Sequence, residues 1–482
     1  LSFEDIKSAR LVSREMAFGL ERYFKERVGP SFFNSIFSEG AWKEKSVSLE
    51  KYAGDARRVN LHNCHLTKEC VAFIVRTFPK LETLDISFSF PEKDGLEPLE
   101  RCASLRAFIA QQTPIQALPA FYEKGRKIEH IDLSFCTEIP SEYFRKFPYF
   151  RNLRILSLSG THLSTIYPLV LHRRQLRELS LASCSFFLLW NHDIDFPQLE
   201  ALDLSSNGTI LFPGFVRGCR ETLRSLNLSD CESLSAEAFL QMPPLPQLQR
   251  LFLRGAKIDR LNPFLQSQDL REIDLSGTNI QSVNFAGNLL GFPALDRFAQ
   301  LRKLIAKESE ITLDNIRPLR DRLEVLDLSD NFWVFEEENK PFPQMPRLRE
   351  LFLRNSALGR IKLRSLLNSK NIEVLDISGT ERTKEEFAAL QALEKLSTLC
   401  LEECETFPFD VLSKNRALTS LRIGRVPPEC PNYRHIASLH QVEKLTIDGK
   451  PFSGHVGRKK IRKLFGVKKA DNESGGEKAL SF

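Results

Sequence analysis

Three groups of residues in this sequence have side chains that could do chemistry. Cys400-Leu-Glu-Glu-Cys404, with Cys430 and His435 downstream, offers thiolate and imidazole donors of the kind that hold zinc. The four are not spaced as a usual ligand set, so no metal is expected. Asp85, Asp132, Asp203, Asp274, Asp327 and Asp376 recur in strings such as Leu-Asp-Leu-Ser. Neighbouring carboxylates could bind a cation or exchange protons. In a recurring string, however, an aspartate is expected to bond to neighbouring groups or water. The third group mixes cations with apolar side chains: Arg250/Phe252/Arg254, Lys303/Ile305/Lys307 and Glu350/Phe352/Arg354. Aromatic and arginine side chains are the types that dominate binding hot spots, so these nine residues are the candidate partner-contact surface. Phosphate-cradle, dinucleotide, zinc-protease and nucleophile-elbow motifs are all missing. The chain is therefore read as a non-enzyme with no cofactor and no small-molecule substrate.

All three groups are placed by one repeating element. The pattern L-x-x-L-x-L recurs, for example as Leu153/Leu156/Leu158, Leu176/Leu179/Leu181, Leu199/Leu202/Leu204 and Leu223/Leu226/Leu228. It returns about every 24 residues, in about seventeen copies between Ala56 and Ile447. This resembles the leucine-rich repeat. The implied fold is an α/β leucine-rich-repeat solenoid with a parallel β-sheet on its concave face. Counting the first leucine as position one, a strand sends positions four and six into the core and positions three, five and seven to solvent. No single repeat can bury its leucines, but a stack of them forms one continuous core. The concave candidates and the aspartate row occupy the outward positions. Position nine carries Cys64, Cys136, Cys184, Cys231 and Cys404, and elsewhere Asn207, Asn331, Thr161, Thr278, Ser309 or Ser356. A small, weakly polar side chain is needed there to satisfy backbone groups where the chain leaves the strand. One thiol per coil reads as structural and reduced, which points to a cytoplasmic or nuclear setting.

The ends depart from the repeat. Residues 1–50 have helical character, with Ile6, Ala9, Leu11, Val12, Met16 and Leu20 at three- and four-residue steps behind Ser2 as N-cap. A helical module of this kind caps the first open coil of a solenoid. The string Leu1-Ser-Phe-Glu-Asp5-Ile6 through Leu11-Val12-Ser13-Arg14 also resembles the second half of an F-box. Met16 stands where that family usually has Trp, and the family's first half, with its Leu-Pro start, would fall before Leu1. F-box proteins dock an adaptor of cullin-based (SCF) ubiquitin ligases, and many present substrates on a following leucine-rich solenoid. The resemblance implies that Leu1, Asp5, Ile6, Leu11 and Val12 bind the adaptor. It further implies partners in that adaptor, its cullin and a protein held for ubiquitylation. The alternative is a recognition scaffold (immune sensor, inhibitor or effector) in which the N-terminal helices are only a cap.

The net charge of +6 is concentrated in Arg458–Lys469, and without the seven cations of that segment the rest of the chain carries −1. A nucleic-acid-binding body is therefore not expected, and nucleic-acid or membrane contact is assigned to the basic tail alone. The longest charge-free stretch, Leu275–Leu295, is interrupted by Asn279, Gln281, Asn284, Asn288, Gly291 and Pro293. It reads as a loop around Phe285–Phe292, not as a membrane span. The expected organisation is a helical module over 1–50, the solenoid over 51–450 and a basic, disordered tail over 451–482.

Overall fold

A computed structural model describes residues 56–119, 127–163, 167–184, 195–208, 213–231, 242–257, 261–278, 295–309, 311, 313–331, 341–356, 363–380, 383–404, 409–424, 439 and 441–453. The expected N-terminal module, the Phe285–Phe292 loop and Arg458–Lys469 lie outside the described residues. The chain divides into two compact units, Leu1–Leu270 and Arg271–Phe482.

In the first unit the strands are β1 (Arg58–Asn60), β2 (His65–Leu66), β3 (Thr83–Asp85), β4 (Phe90–Pro91), β5 (Ala107–Ile109) and β6 (His130–Asp132). They continue as β7 (Ile155–Ser157), β8 (Glu178–Ser180), β9 (Ala201–Asp203), β10 (Ser225–Asn227) and β11 (Arg250–Phe252). β1, β3 and β5 to β11 pair in chain order as a parallel sheet, and β2 and β4 form a small separate pair. The second unit holds β12 (Glu272–Asp274), β13 (Lys303–Ile305), β14 (Val325–Asp327), β15 (Glu350–Phe352), β16 (Val374–Asp376), β17 (Thr398–Leu401), β18 (Ser420–Ile423) and β19 (Lys444–Ile447). These eight are also parallel and paired in order. β20 (Lys450–Ser453) then turns back antiparallel on β19, so the sheet continues past Gly449 to Ser453.

Register follows from the leucine period. Leu156, Leu179, Leu202, Leu226 and Leu251 stand opposite one another on successive strands, and all are buried. A slip of one residue would turn every one of them to the open face. Aromatic side chains from the returning segments complete the cores. Phe73, Phe144, Phe196 and Phe264 are fully buried in the first unit, as are Phe298, Phe342 and Phe387 in the second. Each unit is a leucine-rich-repeat solenoid. Among the described residues no helix is long and apolar enough to cross a membrane.

Beyond each strand the chain must turn sharply. Position eight does this with a left-handed residue: Asn63, Ser206, Asp330 and Asn355 at φ of 56°, 55°, 61° and 49°, and Gly160 and Gly379 at 63° and 66°. At Gly379 a Cβ would fall 1.8 Å from the Asn355 Oδ1, so only glycine fits beside that side chain. Position nine then satisfies the turn. The Asn207 Nδ2 donates to the Leu181 and Leu204 carbonyls at 2.8 Å each, and its Oδ1 accepts from the Cys184 N–H at 2.9 Å. Asn331 repeats this with the Ala306 and Leu328 carbonyls and the Ser309 N–H. The thiols act more simply, Cys184 and Cys231 each donating to a carbonyl one coil back, Leu158 at 3.2 Å and Leu204 at 3.3 Å.

Candidate binding surface

Outward positions of successive strands form rows because the register is exact from strand to strand. In the first unit the middle row runs Asp132, Ser157, Ser180, Asp203, Asn227 and Phe252. The row beside it runs His130, Ile155, Glu178, Ala201, Ser225 and Arg250. Between β6 and β11 these side chains are mostly small, and they line a trough of ≈ 380 Å³. At a strand spacing of about 4.8 Å the six strands cover roughly 24 Å. Hydroxyls cross its floor: Ser134 to Ser157 at 2.6 Å and Ser159 to Ser180 at 2.7 Å. Parallel strands only three residues long leave no room for a deep pocket, so this surface suits an extended ligand lying across the strands.

The aspartate row is structural. Asp85, Asp132, Asp203, Asp274, Asp327 and Asp376 each accept, through Oδ1, the N–H two residues on, at 2.9–3.0 Å. Asn60 and Asn227 do the same for His62 and Ser229. The side chain thereby ties down the backbone where the strand ends. Asp132 is fully engaged, since its Oδ2 accepts from Gln111 at 2.6 Å, whereas the Asp203 Oδ2 has no partner among the described residues.

The candidate contact residues divide by their ion pairs. Lys303 on β13 pairs with Glu272 at 2.7 Å, and Lys307, just past that strand, with Asp327 at 3.1 Å. Beyond β15, Arg354 reaches two strands along to Glu402 at 3.2 Å and to Glu403 at 2.6 Å. Ile305 and Phe352 are half-buried and are separated in their row by Asp327, so they do not merge into one apolar patch. In the first unit, Arg250 and Arg254 are exposed on either side of half-buried Phe252. Neither has a carboxylate within ion-pair distance among the described residues. Apart from Phe252 the trough residues are not among the expected contacts; their signal in the sequence is a run of small side chains at outward positions: Ser157, Ser159, Ser180, Ala182 and Ala201.

Two residues differ from expectation or chemistry. Cys400 occupies position five, which the strand pattern sends to solvent, yet it is buried beside Asp376 and Arg422. Burial pushes its thiol up to about 12, so it is no reactive thiolate. His130, at one end of the trough, has its pKa lowered by burial against the opposing pull of Asp132 and Glu178. It is neutral at pH 7. Among the described residues no group of three His, Cys, Asp or Glu side chains could hold a metal ion. Cys430 and His435 are outside those residues, as are Leu1, Asp5, Ile6, Leu11 and Val12.

No protein-family model matches the chain. An adenylate cyclase of Schizosaccharomyces pombe is 28% identical over 189 residues, which is 36% of this chain and 11% of that protein. The chain thus spans about a tenth of the length of that relative. Among solved structures, a leucine-rich-repeat protein of Leptospira interrogans is similar at 17% identity and a TM-score of 0.40, over 87% of this chain and 96% of that one. The functional domain of InlJ from Listeria monocytogenes, described as including a cysteine ladder, is similar at 12% identity and a TM-score of 0.45, over 82% of each chain. The leucine-rich-repeat ectodomain of the receptor kinase GASSHO1/SCHENGEN3 from Arabidopsis thaliana is 15% identical with a TM-score of 0.40, over 83% of this chain and 59% of that one. The fold statement rests on the repeat register itself.

Proposed function

We propose that this chain is a non-catalytic recognition module whose open sheet face holds an extended segment of another protein. The observation that carries this is the trough across β6–β11, with a floor of small hydroxyl and amide side chains and Phe252 as an apolar anchor at one end. Its strands already spend their backbone groups on one another, so a partner is read by side chains and not by adding a strand. Ala201→Trp fills the trough without touching the core, since Ala201 faces outward. Partner capture from lysate should be lost with Ala201→Trp while the circular dichroism spectrum is kept. Equal capture by both proteins would sink the reading.

The finer reading is the substrate-recognition subunit of an SCF-type ubiquitin ligase. It is supported by the F-box-like string and by its order before the repeats. Leu1, Asp5, Ile6, Leu11 and Val12 would hold the adaptor, and the receptor would contribute proximity instead of chemistry. Buried, unbridged thiols on the described repeats accord with a reducing cytoplasmic or nuclear setting. Capture of adaptor and cullin by the chain, lost on changing Asp5, Leu11 and Val12 to Lys, is the expected result. Recovery of other partners without ligase subunits would favour the plain scaffold.

A further inference from the structure

The trough carries acidic charge on its middle strands and basic charge beside its β11 end, and neither is paired with an opposite charge among the described residues. Glu178 on β8 is exposed and Asp203 on β9 half-buried. No cation lies within ion-pair distance of either among the described residues. Arg177, adjacent in sequence, is turned away to the strand-start ladder, where it pairs with Glu200. Burial lowers the pKa of His130, on β6, which works against its offsetting the carboxylates. At the β11 end Arg250 and Arg254 flank Phe252 with no carboxylate in ion-pair distance among the described residues. At outward positions of the second unit Glu272, Asp327 and Glu402 are each paired with a lysine or arginine, whereas Asp274, Glu350 and Asp376 have no such partner among the described residues. The strand-start ladder is paired as well, Arg57 with Glu82 and Arg106 with Glu129, both at 2.8 Å.

Unpaired charges of fixed sign on a shaped surface choose among partners more than they add affinity. We propose that the occupant is an extended protein segment with a lysine or arginine over Glu178 and Asp203 and an aspartate or glutamate held by Arg250 and Arg254. The separation follows from the fold. β8 and β11 are three strand spacings apart, roughly 14 Å, which an extended chain covers in about four residues. Between the two charges the segment lies over Ser180, Ala201, Ser225 and Asn227. Large side chains have little room there, and hydroxyl and amide groups can meet its backbone. Phe252 adds an apolar surface beside the acidic residue. This inference rests on the reading of the trough as a peptide site.

The test is selection from a displayed library of random peptides of about twelve residues on the full chain. Three variants run beside it: Ala201→Trp, Glu178→Lys, and the charge exchange of Glu178→Arg with Arg250→Glu. The proposal expects enriched peptides with a basic and an acidic residue three to five apart. They should be lost with Ala201→Trp and bind Glu178→Lys at least about tenfold more weakly, the equivalent of about 1.4 kcal/mol. The exchanged variant should enrich the opposite order of charges. Peptides lost with Ala201→Trp but without the charge pair, or indifferent to Glu178→Lys, would overturn the inference and leave the trough reading standing. Peptides that still bind Ala201→Trp would overturn both. So would a trough filled by polyuridylate, or by a second copy seen as a concentration-dependent mass that Ala201→Trp abolishes.

Discussion

Phe88 and Phe135 sit at φ of 61° and 58°, where other repeats place Asn, Asp, Ser, Gly, Gln or Glu. A bulky side chain pays about 1–2 kcal/mol for that conformation. What it gains here is small: both rings are exposed, Phe88 leaning edge-on against His62 at 5.8 Å. Phe88→Asn is therefore expected to raise stability by up to about 1 kcal/mol, read as a higher urea midpoint. A lower midpoint would mean that the ring contact outweighs the backbone strain. His172 shows the opposite balance, a polar group wholly buried among Phe147, Tyr149 and Phe150. Its Nε2 accepts from the Phe150 N–H at 3.0 Å, which places the neutral ring's proton on Nδ1. The Pro148 carbonyl draws the pKa upward but does not reach Nδ1 with ordinary hydrogen-bond geometry. Burial dominates and lowers the pKa from 6.5 to about 4. Below pH 6.5 the unfolded chain takes up a proton that the folded one refuses. The contribution is therefore complete above pH 6.5 and fades as pH falls toward 4, amounting to about 3 kcal/mol. His172→Phe should flatten the loss of stability between pH 6.5 and 4.5. A variant as acid-sensitive as the parent would show that other groups set the slope.

At the scale of the element, position nine is the part of the repeat where chemistry and fold meet. A thiol, hydroxyl or amide is interchangeable there only while it can donate to a backbone carbonyl, either of its own coil, as Thr161 and Thr278 do, or one coil back, as Cys184 and Ser356 do. Cys136, whose Sγ is 2.8 Å from the Ala110 carbonyl, should accept Ser with a change under about 1 kcal/mol. Cys136→Val matches its bulk but removes the donor to that buried carbonyl, at a cost of about 1–3 kcal/mol. Thermal melts of the two variants decide it, and equal melting would assign the position to packing alone. This role was legible in the sequence because only small polar types recur at that place. The leucine register and the structural aspartates were legible for the same reason, each set by one recurring position. Ion pairing was not read, although the pattern held it. Glu272 and Lys303 occupy the same position in consecutive repeats, so strand pairing brings them side by side. Arg354 could not be placed that way, because it reaches over small, buried Ser378 to a strand two further on. The trough escaped notice because its signal is the absence of bulk, which stands out only when rows are read across strands.

For the whole molecule the governing fact is that, among the described residues, coils bond to their immediate neighbours, apart from Arg354, which reaches two coils on. Strands pair in order within each unit, and the side chains of one coil bond to the carbonyls of the one before it. Stability should then be a sum of coil terms and nearest-neighbour terms, and damage should stay local. Leu202 is buried at the centre of the first unit, between Leu179 and Leu226, and Leu375 holds the equivalent place between Leu351 and Leu399 in the second. Either one changed to Ala removes a core side chain at a cost of about 2–5 kcal/mol. Native-state hydrogen exchange distinguishes a local loss from a global one. With Leu202→Ala, exchange should quicken on β8, β9 and β10 and keep its parent rate on β15, β16 and β17; Leu375→Ala should do the reverse. Uniform acceleration in both variants would instead mean that the solenoid opens as one cooperative body. That outcome would bear on function too, because a ligand across six strands could then tighten amides far from the trough. Under nearest-neighbour behaviour, a bound segment should slow exchange on β6–β11 and leave the β15–β17 amides as they were.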